Sequence, residues 1–119
     1  MATAESQVGV SRLFRAFSDK TRLRILHLLR GGELCVCDLM DILRVPQAKT
    51  SRHLGYLRRA GLVQAREEGL WSYYSLTTPT HPVHEKLLDC LSVCCQAVPE
   101  IVTDDRRVSK IRKSGSCCP

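Results

Sequence analysis

The sequence lacks the features that mark membrane, secreted and thiol-redox proteins. Its 119 residues contain no run of 18 or more apolar residues, and the N-terminus has no basic flank followed by a continuous apolar stretch. We expect a soluble cytoplasmic protein with no membrane partner. No CxxC motif lies on a βαβ pattern, and no order of Ser, His and Asp suggests a catalytic triad. The sequence therefore predicts a small domain that is not an enzyme and holds no organic cofactor.

Acidic residues are also missing from the middle of the chain, where basic residues are frequent. No Asp or Glu lies between Asp41 and Glu67. The basic residues of that interval are Arg44, Lys49, Arg52, Arg58, Arg59 and Arg66. The formal net charge of +6 indicates an anionic partner. A solvated basic face would explain the charges alone, but they coincide with one predicted helix, which favours nucleic acid.

The spacing of apolar residues predicts a series of helices, a hairpin and a last helix. The predicted helices cover Val10–Phe17, about 20–30, a segment that begins within Leu34–Asp38, the stretch "PQAKTSRHLGYLRRA", and about 82–97. The β-prone runs "LVQAR" and "WSYYSL" predict the hairpin, with its turn over 67–70. Two helices joined by a tight turn, with the second basic and followed by a hairpin, indicate a winged helix-turn-helix.

We therefore predict a mainly α fold with a small β-hairpin, over residues 1–98. Residues 99–119 read as a basic, cysteine-containing tail that is mobile when free. The last predicted helix carries an apolar stripe that includes Val83, Leu87 and Leu91. So small a domain offers that stripe no partner. The stripe therefore predicts the interface of a homodimer.

Cysteine is abundant, and its arrangement is unlike a disulfide framework. The seven cysteines are odd in number and include the adjacent pairs Cys94-Cys95 and Cys117-Cys118, which favours soft-metal binding or redox chemistry. Cys35 and Cys37 flank one valine in "ELCVCDL". On a regular helix they would project about 200° apart, so sharing one ion would require the helix to unwind at its start. Each could instead be a small hydrophobic residue.

Three segments, "ELCVCDL", "KTSRHLGYLRRAGLV" and "REEGLWSYYSL", resemble the ArsR/SmtB family of winged-helix repressors, specifically its arsenical-responsive members. The resemblance runs over Leu13–Leu91. It implies a homodimer, packed through its first and last helices, that binds an inverted-repeat operator in double-stranded DNA and represses a resistance operon. Trivalent arsenic or antimony would bind as the inducer and release the DNA.

The resemblance also implies the metal ligands, Cys35 and Cys37. Trivalent arsenic favours three sulfurs, but Met40 stands where some relatives have a third cysteine. The candidate third ligands are Cys90, Cys94, Cys95, Cys117 and Cys118, and Cys94 with Cys95 is also a candidate second site. Two thiolates alone would suffice for a methylated trivalent arsenical.

Rival functions remain open at this point. Zinc-sensing relatives use ligands on the last helix, where His81 and His84 lie, but a second pair at the expected spacing is missing. Cadmium at a cysteine site is an alternative, as is a thiol-rich metal-binding or redox protein. The last class leaves the basic helix unexplained.

The N-terminal part of the predicted recognition helix supplies the DNA-binding residues. The candidates for groove contacts are Gln47, Lys49, Ser51 and Arg52, followed by Thr50 and His53. Ser51 could instead allow close helix packing, and His53 could support the core. In the wing Leu70 follows Gly69, where relatives commonly have a basic residue, which leaves Arg66 as the candidate for a phosphate contact. Binding of the ion is expected to unwind the start of the preceding helix and redirect the recognition helix.

Overall fold

The computed structural model describes residues 9–115, apart from the side chains of Cys94 and Cys95. The helices of that part are α1 (Val10–Ala16), α2 (Lys20–Arg30), α3 (Val36–Leu43), α4 (Gln47–Arg59), α5 (Pro82–Cys94) and α6 (Pro99–Ser114). Its strands are β1 (Leu34–Cys35), β2 (Val63–Glu68) and β3 (Trp71–Leu76). A 3-10 turn, Cys95–Ala97, joins α5 to α6. The predicted winged helix-turn-helix is confirmed.

Local signals explain where the helix-turn-helix begins and ends. The Asp19 side chain caps α2 by accepting a hydrogen bond from the backbone N–H of Arg22 at 3.1 Å. Helix α3 ends at Arg44, whose φ of 54° and ψ of 43° put the backbone in the left-handed region. Pro46 then precedes α4 and prevents α3 from continuing through the turn.

The sheet is small and antiparallel, in the order β1-β3-β2. Strands β2 and β3 pair from Val63 opposite Leu76 to Glu68 opposite Trp71, and a two-residue turn begins at Gly69 with a φ of 63°. Strand β1, which the sequence did not predict, pairs with β3 on its other edge. The wing is therefore attached to the segment that leads into α3.

The core lies where α2, α3 and α4 meet the base of the wing. Its fully buried side chains include Ile25, Leu26, Leu39, Ile42, Leu54, Leu57 and Leu62. Leu91 of α5 and Ile101 of α6 complete it. Because α3 and α4 pack into the same core, a displacement of one helix changes the packing of the other.

Helix α6 corrects the interpretation of residues 99–119 as a mobile tail. The structure shows Pro99–Ser114 as a helix that runs alongside α2 in the same direction. Side chains connect the two helices along their length: Lys20 with Glu100 at 2.7 Å, Arg24 with Asp104 at 2.7 Å, and His27 with Asp105 at 2.8 Å. Near the end of α6, Arg112 donates to the carbonyl of Gly31. Residues 116–119 lie outside the described part.

The Arg24–Asp104 ion pair is the buried connection in this series. Asp104 accepts from Nε and Nη2 of Arg24 at 2.7 and 2.9 Å, and the Asp104 side chain is fully buried. The hydrogen bond to Asp104 raises the pKa of Arg24. Arg24 also donates to the carbonyl of Leu43 at 3.0 Å, and Arg107 donates to that of Ile42 at 2.7 Å. Two arginines thus satisfy carbonyls at the C-terminal end of α3.

Large apolar side chains remain exposed on the outer helices. Val10 and Phe14 on α1, Val93 on α5 and Val102 on α6 are about half exposed or more. The predicted stripe on α5 is different: Leu91 is buried, and Val83 and Leu87 pack against the core of the same subunit, so the expectation that the domain leaves this stripe without a partner is wrong. The homodimer interface itself stays a prediction, for which these exposed side chains are the candidates. None of the described helices is long and apolar enough to cross a membrane.

Substitution of Asp104 tests whether the buried ion pair holds α6 against α2. We expect Asp104→Ala to lower the free energy of unfolding by roughly 3–5 kcal/mol, because it leaves the Arg24 guanidinium unpaired in the core. Asp105→Ala is the matched control, since it removes the neighbouring carboxylate from an exposed pair, and it should cost under about 1 kcal/mol. Urea denaturation followed by circular dichroism measures both. Equal, small losses would contradict a structural role for the buried pair.

Candidate functional site

Cys35 lies at the point where β1 ends and α3 begins. Its backbone is extended, with a φ of −78° and a ψ of 158°, and the residue pairs with Tyr73 of the wing. It is also the N-cap residue of α3, and its Sγ accepts a hydrogen bond from the backbone N–H of Asp38 at 3.4 Å. The Cys35 side chain is buried. One residue thus joins the wing, the first helix of the helix-turn-helix and the thiol pair.

The two sulfur atoms of the pair already lie together. The Sγ atoms of Cys35 and Cys37 are 3.1 Å apart, farther than a covalent S–S bond and close enough to share one ion. The expectation that a helix would separate them is wrong, because α3 begins only at Val36. The extended backbone of Cys35 turns its side chain toward the second residue of the helix. The thiols therefore meet while α3 remains helical.

Asp38 is a member of the site that the sequence reasoning missed. The ligand atoms of Cys35, Cys37 and Asp38 all lie within 4.8 Å of one another, and the Asp38 side chain is buried. Its acidic group lies in the first turn of α3, where the helix dipole stabilises negative charge. The residue follows Cys37 directly in "ELCVCDL", and a search for oxygen as well as sulfur ligands would have included it. The site therefore offers two sulfurs and one carboxylate.

The structure brings no further cysteine into this group among the side chains that it describes. Cys90 is exposed on α5, and Met40 lies in α3, about one turn after Cys37. The backbones of Cys94 and Cys95 lie at the end of α5 and in the 3-10 turn, and nothing is described of their side chains. Cys117 and Cys118 lie outside the described residues. The predicted third ligand is still open.

The wing is tied to the thiol segment by Arg66 of β2. Its guanidinium donates to two carboxylates: to Glu33 through Nε and Nη2 at 2.8 Å each, and to Glu68 through Nη1 at 2.5 Å. The same group stacks over Tyr73, 4.4 Å from the ring centroid. Hydrogen bonds to Glu33 and Glu68 raise the pKa of Arg66. A DNA phosphate would have to compete with these partners, and the predicted phosphate contact stays a prediction.

The predicted recognition helix α4 presents most of its candidate residues to solvent. Gln47, Lys49, Ser51 and Arg52 are exposed on its N-terminal half. Thr50 is fully buried, and its hydroxyl donates to the carbonyl of Val45 at 3.4 Å. Four candidates therefore share a solvent-facing surface, whereas Thr50 faces the turn before the helix.

His53 connects α4 to α2. Its Nδ1 lies 3.3 Å from Nη1 of Arg22, and its Nε2 lies 3.7 Å from Oδ2 of Asp19. Burial lowers the pKa of His53; Asp19 opposes this, and the cations of Arg22, Lys49 and Arg52 add to it. These contacts agree with a role in supporting the helix-turn-helix.

The two histidines considered for zinc have other surroundings. Nδ1 of His81 accepts a hydrogen bond from the backbone N–H of Val83 at 3.1 Å, which places it in the N-terminal turn of α5. The His84 side chain is buried, and burial, with a smaller contribution from His81, lowers its pKa. Within the described side chains these residues form no cluster of three potential metal ligands.

Comparison with known proteins identifies the fold and its function class. The family model "Bacterial regulatory protein, arsR family" matches residues 19–65. The uncharacterised HTH-type transcriptional regulator MJ1325 of Methanocaldococcus jannaschii is 44% identical over 86 residues, which cover 71% of this chain and 97% of that protein. The chain belongs to the ArsR family.

Some relatives in this family are named for arsenical resistance and others for cadmium resistance. The arsenical resistance operon repressor of Escherichia coli is 44% identical over 79 residues, covering 66% of this chain and 68% of that one. A cadmium resistance regulatory protein, a CadC homologue of Staphylococcus aureus, is 41% identical over 73 residues, 60% of each chain. The chain is similar to members of both groups at nearly the same identity.

Solved structures of ArsR-type regulators share the architecture. HlyU of Vibrio cholerae superposes with a TM-score of 0.64 at 28% identity, over 82% of this chain and 98% of its own. The homodimeric winged helix-turn-helix DNA-binding domain of Mb0332 from Mycobacterium bovis gives 0.60 at 28% identity, over 78% and 81%. This ArsR-family chain is therefore a transcriptional regulator with a DNA-binding fold, and not an enzyme.

The exposed cations of α4 give the DNA-binding surface a direct test. We expect Lys49→Ala and Arg52→Ala each to weaken binding to DNA from upstream of the chain's own gene. If each cation neutralises one phosphate, the slope of log affinity against log salt should flatten by roughly 0.9 per substitution. Lys86→Ala, which removes an exposed cation from α5, is the control. Fluorescence anisotropy over a salt series measures the slopes, and equal slopes in all four proteins would exclude this surface.

Proposed function

We propose that this ArsR-family regulator is a metalloid-responsive repressor. As a homodimer it binds an inverted-repeat operator of an arsenic resistance operon, and trivalent arsenic or antimony at Cys35 and Cys37 releases it. The observation that carries the proposal is the 3.1 Å separation of the two sulfurs at the start of α3. Exposed cations on α4 and the apolar side chains on α1 and α5 support DNA binding and dimerisation.

The thiol pair needs little adjustment to hold an ion. Two sulfurs bound at about 2.3 Å to one ion lie ~3.3–3.8 Å apart, depending on the bond angle. The pair at 3.1 Å therefore has to spread by less than ~1 Å. The N–H of Asp38 and the positive end of the α3 dipole both stabilise negative charge on Cys35 Sγ. Both features suit a sulfur that carries negative charge when it binds a metal ion.

The coupling to DNA runs through the position of Cys35. A change at its sulfur acts on β1, which pairs with the wing, and on α3, which shares its core with α4. We infer that α3 moves as an intact helix when the ion binds, and that the recognition helix and the wing no longer fit the operator together. A coupling free energy of about 1–3 kcal/mol would weaken operator binding ~5–150-fold.

Cadmium is the second candidate, and Asp38 is the observation that favours it. A carboxylate oxygen within 4.8 Å of both sulfurs suits a divalent ion that accepts mixed sulfur and oxygen ligands. Trivalent arsenic prefers sulfur alone, so Asp38 adds little to its site. If cadmium is the inducer, Asp38→Asn should abolish the response, whereas the response to arsenite should survive that substitution.

Methylated trivalent arsenicals are compatible with the same pair. One valence of the arsenic in methylarsenite is occupied by carbon, so two thiolates complete its coordination. We propose that Cys35 and Cys37 accept methylarsenite as well as the inorganic ions. An operator complex that methylarsenite leaves intact would refute this part.

Single substitutions of the pair test the inducer site. We expect Cys35→Ser and Cys37→Ser to bind DNA from upstream of the gene as the wild type does, because neither side chain lies on the α4 surface. Arsenite or antimonite should release the wild type and neither variant, since one thiolate cannot chelate the ion. Electrophoretic mobility shift over an inducer titration measures both properties.

Cys90→Ser is the matched control for those variants. It removes an exposed cysteine from α5 without touching α3, and it should respond like the wild type. Normal release of both Cys35→Ser and Cys37→Ser would contradict the proposed function. Loss of response in Cys90→Ser as well would make Cys90 a further ligand of the inducer.

A further inference from the structure

The end of α3 determines how the recognition helix is oriented. Residues 44–46 are the whole connection between α3 and α4, so the direction in which α3 ends fixes the direction in which α4 begins. The connection has little freedom, because Arg44 is held in the left-handed region and Pro46 restricts the residue before it. The buried Thr50 also donates from α4 to the carbonyl of Val45 at 3.4 Å. The groups that hold the last turn of α3 therefore also hold the DNA-facing surface of α4.

The last turn of an α-helix leaves four carbonyls without a partner inside the helix. In α3, the residue that follows the helix satisfies two of them. Arg44 donates from its backbone N–H to the carbonyl of Met40 at 3.0 Å and from Nε to that of Asp41 at 3.4 Å. The other two carbonyls belong to Ile42 and Leu43, which are buried. Because water does not reach them, they need donors from elsewhere in the protein.

Both of those donors depend on α6. Arg107 of α6 donates from Nη1 to the carbonyl of Ile42 at 2.7 Å. Arg24 of α2 donates to that of Leu43 at 3.0 Å, and the buried carboxylate of Asp104, also in α6, holds the Arg24 guanidinium there. Each arginine brings positive charge to the C-terminal end of α3, where the helix dipole favours it. Helix α6 lies outside residues 19–65, which the family model matches, and yet it holds the helix-turn-helix in place.

We propose that Arg107 is a positioning residue for DNA binding: it fixes the end of α3 and thereby orients α4 toward the operator. This inference rests on the DNA-binding part of the proposed function and is independent of the inducer. The guanidinium binds the carbonyl of a buried residue, so Arg107 acts through α3 and not through a phosphate. Without that bond α4 also adopts orientations that fit the operator less well. The apparent affinity then falls by the fraction of molecules that keep the fitting orientation.

Arg107 separates positioning from stability better than Arg24 does. Arg24 and Asp104 form a buried ion pair, whose loss destabilises the whole domain. Arg107 is only half-buried. Arg107→Met removes the donor and keeps an unbranched side chain that can pack against α3. Arg106→Met is the matched control, because the neighbouring arginine is exposed on the same helix and its substitution changes the net charge equally.

Specific and non-specific binding distinguish a misplaced helix from a lost charge. We expect Arg107→Met to bind DNA from upstream of the gene about 10-fold more weakly, as when one molecule in ten keeps the fitting orientation. Its affinity for an unrelated duplex of the same length should be unchanged, because non-specific binding depends on the cations that face the phosphates. Arg106→Met should resemble the wild type on both duplexes. Fluorescence anisotropy measures the affinities, and urea denaturation shows whether each variant is folded.

Three results would overturn the positioning role. The first is an unchanged affinity of Arg107→Met for the upstream DNA. The second is an equal fall on both duplexes with a salt slope flatter by roughly 0.9, which indicates a lost phosphate contact. The third is the same loss of preference in Arg106→Met. If Arg107→Met does not fold, Arg107→Gln replaces it, with Arg106→Gln as control. The glutamine amide nitrogen reaches only as far as Nε of arginine, short of the Nη1 that binds Ile42, so the same outcomes apply.

The proposed function fails in a different way from this inference. If the wild type binds the upstream DNA and the unrelated duplex equally, operator recognition is wrong and the positioning role is wrong with it. If the wild type prefers the upstream DNA and Arg107→Met keeps that preference, only the positioning role is wrong.

Discussion

The organisation of this protein depends on the backbone conformation of Cys35. Because that residue is extended, it ends a strand that pairs with the wing and caps the helix that precedes the recognition helix. The same conformation turns its sulfur toward Cys37. A continuous helix from Leu34 would have separated the thiols and removed the strand. The site, the wing and the helix-turn-helix therefore share one residue.

Helix α3 is fixed at both ends by parts of the chain that are distant in sequence. Cys35 and the wing hold its start, whereas Arg24 and Arg107 bind carbonyls at its end. Asp104 of α6 neutralises Arg24 inside the core. A helix held in this way can shift between two packed positions more readily than it can bend, which suits a regulator with two states.

The helix-turn-helix and the wing could be predicted from the sequence, because they depend on local signals. These signals are the apolar spacing, Pro46 and the basic helix without acidic residues. The sequence did not reveal β1, since a two-residue strand has no periodicity. The sequence predicts no helix over 99–114, because the inward-facing apolar stripe of α6 is interrupted by Asp104, a residue type that is expected at the surface. Only the pairing with Arg24, 80 residues earlier, makes its burial acceptable. The thiol geometry was missed for a similar reason: it depends on where α3 begins, to within one residue.

Amide hydrogen exchange of α3 in the free protein, with and without antimonite, tests the central claim most directly. Preformed thiols at an N-cap predict that the amides of 40–43, which are bonded within the helix, keep or increase their protection when the ion binds. The amide of Asp38, which donates to Cys35 Sγ, should change its exchange rate. Loss of protection across 40–43 would show that the helix unwinds to bind the ion and would contradict the account.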